Sequence, residues 1–338
     1  MNIQQNISLK QYNTFGIDVT AREFVEIHTL EELQVLCSNF NLIERNVLVL
    51  GGGSNLLLTQ DVEGMVIKIS IKGIEVVEEN DENVWVKVAA GEVWHEFVRW
   101  AINHGYGGVE NLSLIPGCVG ASPMQNIGAY GVEIKNTFIS LDAIEIDGGN
   151  ERVFTHAECK FGYRESVFKQ EEKGKYIIAS VMFKLSKHPQ LNTTYGAIQQ
   201  TLQKHGITEP SVVDISNAVV EIRTSKLPDP KVLGNAGSFF KNPEIPDEQF
   251  LKLKENHPDI VGYPAGLGKT KVAAGWLIEQ CGWKGKRVGN TGSHKDQALV
   301  LVNYGGAKGA EIWQLAMDIQ RSVQQTFGIA IQAEVNVI

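Results

Sequence analysis

The sequence predicts an α+β protein with more than one domain, on three observations. The chain has 338 residues, roughly two to three times the usual domain length. Up to about residue 190 strand-like runs alternate with a few well-signalled helices, and beyond 191 the pattern turns helix-rich before a final strand. Glycine, at 34 residues, stands above its usual share and clusters at 51–53, 105–108, 117–131 and 262–268, where it interrupts otherwise regular segments.

In chain order, the Thr-Leu-Glu-Glu of residues 29–32 is a capping box that opens a short helix. NVLVL (46–50) is a compact apolar strand that ends at GGGSN. GMVIKIS (64–70) and NVWVKVAAG (83–91) read as strands, the latter with Val84, Val86 and Val88 on one face, and VWHEFVRWAINH is a helix stopped by Gly105. LDAIEID and ERVFT flank Gly148, Gly149 and Asn150 as a hairpin, and YIIASVMFKL (176–185) is another strand. After the polar break HPQLNTTYG come two helical stretches, YGAIQQTLQKHG and DISNAVVEIRTS. The Pro-rich KLPDPKVLGN then marks a boundary, with a new domain starting near 224. Ile312, Leu315, Ala316, Ile319, Val323 and Phe327 share one face of a last helix capped by Gly328. The final strand, IAIQAEVNVI, alternates Ile329, Ile331, Ala333, Val335 and Val337 against polar residues, so Glu334 points away from the apolar face.

Composition narrows the function. Thirty-one basic against 39 acidic residues, mixed along the chain, give a net charge of -8 and disfavour nucleic acid as the main partner. No run approaches the length of a bilayer span, and the first residues do not read as a secretory signal, so a cytoplasmic protein is expected. Cys37, Cys118, Cys159 and Cys281 lie far apart, and the eight histidines form no HxxxH pair, so free thiols and no bound metal are expected.

GLGKT (266–270) imitates the end of a P-loop, but the position five residues before its GK glycine holds Tyr263. A turn ahead of the helix KVAAGWLIEQ is the plainer reading. GGGSN (51–55) after a strand can form an anion nest, with Ser54 and Asn55 adding side-chain hydrogen bonds, or can simply be a turn. IPGCVGASPMQNIGAYG (115–131) is harder to explain by turns alone: it suits backbone wrapped on a flat ligand, with Ser122, Gln125 and Asn126 as polar contacts. Two such tracts in one half of the chain point to a large cofactor.

These residues carry a resemblance. NTFGI, LGGGSN, the 115–131 tract, FGYRES (161–166), KLPDPKVLGNAGSFFKNP (226–243), KVAAGWLIEQCGWKG (271–285), HKDQALVLVN (294–303) and AEVNVI resemble the UDP-N-acetylenolpyruvoylglucosamine reductases, flavoenzymes of bacterial peptidoglycan synthesis. The segment around Tyr195 is similar to the type I form, with a tyrosine-bearing loop over the substrate. The resemblance implies a two-lobed FAD-binding domain of the vanillyl-alcohol-oxidase-like (PCMH) type plus an α+β substrate-binding domain. The corresponding division is 1–70 and 71–190 for the lobes, 191–223 for the tyrosine loop and connecting helices, 224–328 for the substrate domain, and 329–338 for the strand with Glu334.

It further implies noncovalent FAD held by Gly51, Gly52, Gly53, Ser54, Asn55, Pro116, Gly117, Ser122, Gln125 and Asn126, with Arg223 adding charge, and NADPH as hydride donor. Arg164 and Glu334 match the family's residues that polarise the enolpyruvyl carboxylate, and Ser238 matches its proton donor. Because a bare carboxylate would repel that of the substrate, Glu334 is expected to act protonated or through a water. Tyr195, Lys226, Asn242, Tyr263, Lys284 and Gln297 match positions that hold the uridine diphosphate and glucosamine parts. No obligate protein partner is implied. An oxidase of the same flavin superfamily would share LGGGSN without GNAGSFFKNP, and a nucleotide-binding reading of GLGKT predicts a colourless protein that binds ATP.

Overall fold

The computed structural model describes residues 1–338, and its mixed strands and helices match the α+β expectation. The chain forms two compact units: residues 1–7, 21–52 and 62–225 make the first, and residues 8–20, 53–61 and 226–338 the second.

The first unit holds two sheets. One has the order Ile3–Ser8, Thr20–Ile27, Val62–Ile69, Leu48–Leu50, with the last three strands parallel. Helix α1 (Leu30–Asn39) starts where the Thr29 side chain accepts the Glu32 N–H at 3.1 Å, and the Glu32 carboxylate takes the His28 N–H one residue before the cap. Its Leu33, Leu36 and Cys37 pack with Val25, Ile27 and Met65 of the parallel strands and with Ile144 and Ile177 of the second sheet.

That second sheet is antiparallel, in the order Glu151–Thr155, Phe138–Glu145, Tyr176–Ser186, Asn83–Ala89, Ile74–Glu79. Val84, Val86 and Val88 are fully buried and the residues between them only partly so, as the two-residue period requires. Their face meets α2 (Trp94–Asn103) through Trp94, Phe97 and Val98, and Phe97 stacks on Phe183 at 4.9 Å. Each such buried side chain contributes about 1.5–3 kcal/mol, so α2 has a firmly fixed start. Helices α3 (Gly196–Lys204) and α4 (Val212–Lys226) share a smaller core of Ile198, Leu202, Ile215, Val219 and Ile222.

In the second unit an antiparallel sheet runs Gly234–Ser238, Val300–Asn303, Thr291–Ser293, Arg287–Val288. A three-stranded sheet runs Glu244–Pro246, Lys269–Val272, Gly262–Pro264, accompanied by helices α5 (Asp247–Asn256), α6 (Ala274–Gln280) and α7 (Gly309–Phe327). All six apolar positions read for the last helix are buried in α7, which ends at Gly328 with φ 66°. The N-terminal segments are tied in by backbone: Asn235 N–H donates to Thr14 O, the Asn303 amide donates to Phe15 O, and Leu56–Leu57 pairs in parallel with Asn336–Val337.

Two local readings change. The glycines of GLGKT, at φ 102° and 71°, do make a turn, but it leads into the strand Lys269–Val272, and α6 begins only at Ala274. The C-terminal alternation is correct for Ile329, Ile331 and Val335, all buried, yet only Asn336–Val337 forms a strand. Elsewhere this segment has only short contacts, one of them the bridge between Ala333 and Phe240. The four cysteines are free, and burial pushes the thiols of Cys37 and Cys159 up to about 11 and about 12, so neither ionises at neutral pH. No helix is long and apolar enough to cross a membrane.

Candidate active site

In the first unit the two glycine tracts touch through bare backbone. A Cβ on Gly52 would lie 2.8 Å from the Gly117 Cα, and one on Gly120 would lie 2.5 Å from the Ala90 Cβ. The second tract is pinned to the start of α2, because Trp94 N–H donates to Gly117 O and Val119 N–H to Glu92 O. Neither 51–55 nor 115–131 contains a charged side chain. A dinucleotide diphosphate calls for closely approached backbone and N–H donors, and the residues present fit such a group.

The side chains of this tract do other work. Ser122 is buried and donates to Val119 O, while Asn126 donates to Glu133 and to Gly162 O and accepts the Lys135 N–H. Asn126 therefore fastens the tract to GYRES. Two more links run the same way: Arg164 Nη2 donates to Gly128 O at 2.7 Å and Ser166 Oγ to Met124 O at 2.7 Å. Gln125 is half-buried and Pro116 exposed.

Around Arg164 the backbone is unusual. Of seven non-glycine residues with positive φ, four are Leu114, Asn126, Tyr130 and Arg164. Each such conformation costs an ordinary L-residue about 1–2 kcal/mol, so strain is concentrated where a functional constraint would hold it. Arg223, on α4, donates from Nε to Leu114 O at 3.3 Å and hydrogen-bonds the Tyr130 hydroxyl. Burial disfavours the charge on Arg223, and the nearby Arg164 guanidinium adds to the effect. Two mutually repelling cations of this kind are suited to an anion. Tyr195 meets Tyr130 edge to face at 5.1 Å, and burial raises the Tyr130 hydroxyl above its ordinary pKa. The loop before Tyr195 is latched by Asn111, whose amide donates to Tyr130 O and Asn192 O, and by Asn192, which donates to Gly131 O.

In the second unit the Ser238 and Glu334 segments lie side by side: Glu334 N–H donates to Phe239 O at 2.8 Å, and Lys241 N–H to Gln332 O. Asn235 shapes the strand end by donating to Pro228 O and Leu233 O and accepting from Gly237 N–H. The result is an exposed Ser238 followed by buried Phe239 and Phe240. Of the GGGSN loop this unit contains Gly53, Ser54 and Asn55. A Cβ on Gly53 would lie 1.9 Å from Tyr12 O, and the Asn55 amide donates to Glu334 O at 3.3 Å.

The substrate candidates divide. Asn242 and Gln297 converge on the start of α6, the first accepting the Ala274 N–H and the second lying 3.3 Å from where a Gly275 Cβ would be. Lys284 instead pairs with Glu279 at 2.9 Å on the surface. Tyr263 lies in an open groove of about 450 Å³ with Phe250, Leu251, Lys269 and Thr270. Lys226 is exposed at the end of α4. Sequence reading singled out none of Tyr130, His95, Asn111 and Leu114; the glycine-like φ of 50° at Tyr130 leaves no mark in a sequence.

A backbone-lined glycine cradle suits a flavin dinucleotide, and the match of residues 21–153 to the FAD binding domain family marks the chain as a flavoprotein. The C-terminal part is as specific: residues 229–338 match the C-terminal domain of UDP-N-acetylenolpyruvoylglucosamine reductase. The chain is 54% identical over 339 residues to the enzyme of that name from Flavobacterium johnsoniae, covering 100% of both. It is 49% identical to the one from Chromobacterium violaceum, covering 99% and 98%. The chain belongs to the UDP-N-acetylenolpyruvoylglucosamine reductase family. It shares the fold of the Thermus caldophilus reductase, with a TM-score of 0.69, 24% identity and coverage of 100% and 99%.

Proposed function

We propose that the protein uses NADPH to reduce UDP-N-acetylglucosamine enolpyruvate to UDP-N-acetylmuramate, a peptidoglycan precursor, in the cytoplasm and without an obligate protein partner. The observation that carries this reading is full-length likeness at 54% identity, with GYRES stitched to the glycine tract at three points. When bound, FAD supplies hydride transfer in both halves, from NADPH and then to the methylene carbon of the enol ether.

The chain's own residues handle the charge. An enol ether is electron-rich and accepts hydride poorly, so its carboxylate must draw off the charge that develops. Arg164 is proposed for this task, held by its bond to Gly128 O, with Arg223 as a second positive charge nearby. Glu334 is proposed to assist, protonated or through a water. Ser238 then gives its proton to the carbon next to the carboxylate, and its exposed place at a strand end suits that role. Gly51, Gly52, Gly53, Ser54, Asn55, Pro116 and Gly117 are proposed to bear on the cofactor, with Ser122 and Asn126 acting by holding the tract. Tyr195, Lys226, Asn242, Tyr263, Lys284 and Gln297 are proposed to read the nucleotide sugar.

The test is NADPH consumption by the purified yellow protein with and without UDP-N-acetylglucosamine enolpyruvate. Stoichiometric oxidation that depends on the sugar nucleotide is expected. Oxidation with oxygen alone as acceptor, indifferent to the sugar nucleotide, would overturn the reading.

A further inference from the structure

His95 lies in the first turn of α2 and faces Arg223 across a single residue, Leu114. Its Nδ1 accepts the Leu114 N–H at 2.9 Å, and the carbonyl of the same Leu114 accepts from Arg223 Nε at 3.3 Å. Leu114 is held at φ 59°, a conformation leucine does not choose for itself. The bonds on its two sides, one to an imidazole and one to a guanidinium, are what fix it there. Arg223 in turn bonds the Tyr130 hydroxyl and lies near Arg164. One line of contacts therefore runs from the imidazole through the Leu114 peptide to the anion site.

We infer that neutral His95 is a positioning residue, which sets Arg223 beside Arg164 through the Leu114 peptide and so ties recognition of the substrate's enolpyruvyl carboxylate to the protonation of one imidazole. The inference rests on the function proposed above. Accepting the Leu114 N–H requires a bare Nδ1, so the proton of the neutral ring is on Nε2. A second proton would have to go on Nδ1, where it would face an N–H and break the bond. It would also place a third cation near two arginines.

The surroundings keep the ring neutral over most of the working range. Burial lowers the imidazole pKa below its ordinary value, Arg99 and Arg223 push the same way, and Glu96 opposes them. The sign follows: the bond to Leu114 is intact above this lowered value and is lost as pH falls through it.

The experiment measures the affinity of the oxidised holoenzyme for UDP-N-acetylglucosamine enolpyruvate from the change in flavin absorbance, at about pH 8 and at the lowest pH at which the holoenzyme keeps its FAD. Wild type, His95→Asn and His95→Leu are compared. Asparagine can present an oxygen near the Nδ1 position and does not titrate; leucine offers no acceptor. Loss of one hydrogen bond to the strained peptide corresponds to roughly fivefold or more in affinity. Wild type should weaken by that factor on acidification, His95→Asn should match wild type at the higher pH and change little at the lower, and His95→Leu should be weak at both. An unchanged acid limb in His95→Asn would overturn the inference, as would a His95→Leu that retains FAD and matches His95→Asn. If His95→Leu does not fold, wild type against His95→Asn across pH still decides. A wild type with no spectral response to the substrate at the higher pH would instead overturn the proposed function, and this inference with it.

Discussion

Ser238 and Gly52 show how far single residues can be argued. Ser238 is exposed, so its replacement by alanine should change stability by under about 0.5 kcal/mol. The proton-donor role proposed for it corresponds to about 10²–10⁴ in rate, and Ser238→Ala should lose that much turnover. NADPH should still bleach the flavin at nearly the wild-type rate, while reoxidation by the enolpyruvyl substrate stalls. Stopped-flow measurement of the two halves checks this, and normal reoxidation would remove Ser238 from the chemistry. For Gly52→Ala the expectation is different. The new methyl must push the Gly117 backbone away from 2.8 Å, so the variant should purify folded but with FAD bound roughly tenfold more weakly or worse, read as absorbance near 450 nm against protein. At this scale the sequence marks residue types well and their duties less well. Asn126 is legible as a polar residue in a ligand tract and Asn242 only through the family resemblance, but an amide that holds Gly162 O or accepts a helix N–H looks the same in a sequence as one that meets a ligand.

Elements were more legible where a pattern repeats. The valines of Asn83–Ala89 and the six apolar positions of α7 declare their faces, because period two and period 3.6 survive in the sequence. Segments held by single bonds leave no such trace. Residues 329–335 carry a strand's alternation without a strand's ladder, and the loop before Tyr195 is held by single bonds from Asn111, far from it in sequence, and from its own Asn192 to Gly131 O. Removing that latch in Asn111→Ala gives up two donated bonds, worth about 1–3 kcal/mol. The loop before Tyr195 should then be cut more readily by protease, and KM for the sugar nucleotide should rise several-fold while flavin reduction by NADPH keeps its rate. An unaltered KM with an unaltered cleavage pattern would show that the latch does not position Tyr195.

Across the whole molecule, the boundary signal KLPDPKVLGN is plain in the sequence, and the crossings at 7/8, 20/21, 52/53 and 61/62 are not. Those short excursions carry no composition shift; what commits them is backbone pairing with residues far ahead, such as Thr14 with Asn235 and Leu56 with Asn336. A fragment of residues 226–338 alone lacks two of the second unit's three segments, so it should show no cooperative melting by circular dichroism, and a sharp transition in that fragment would count against the division described. The bond between Asn55 and Glu334 joins residues 279 apart. At bacterial and general synthesis speeds of about 5–20 residues per second, the ribosome takes roughly 15–55 s to cover that distance. For that interval each nascent chain carries a glycine loop whose C-terminal partner does not yet exist, so the loop can take its final form only when translation is nearly finished.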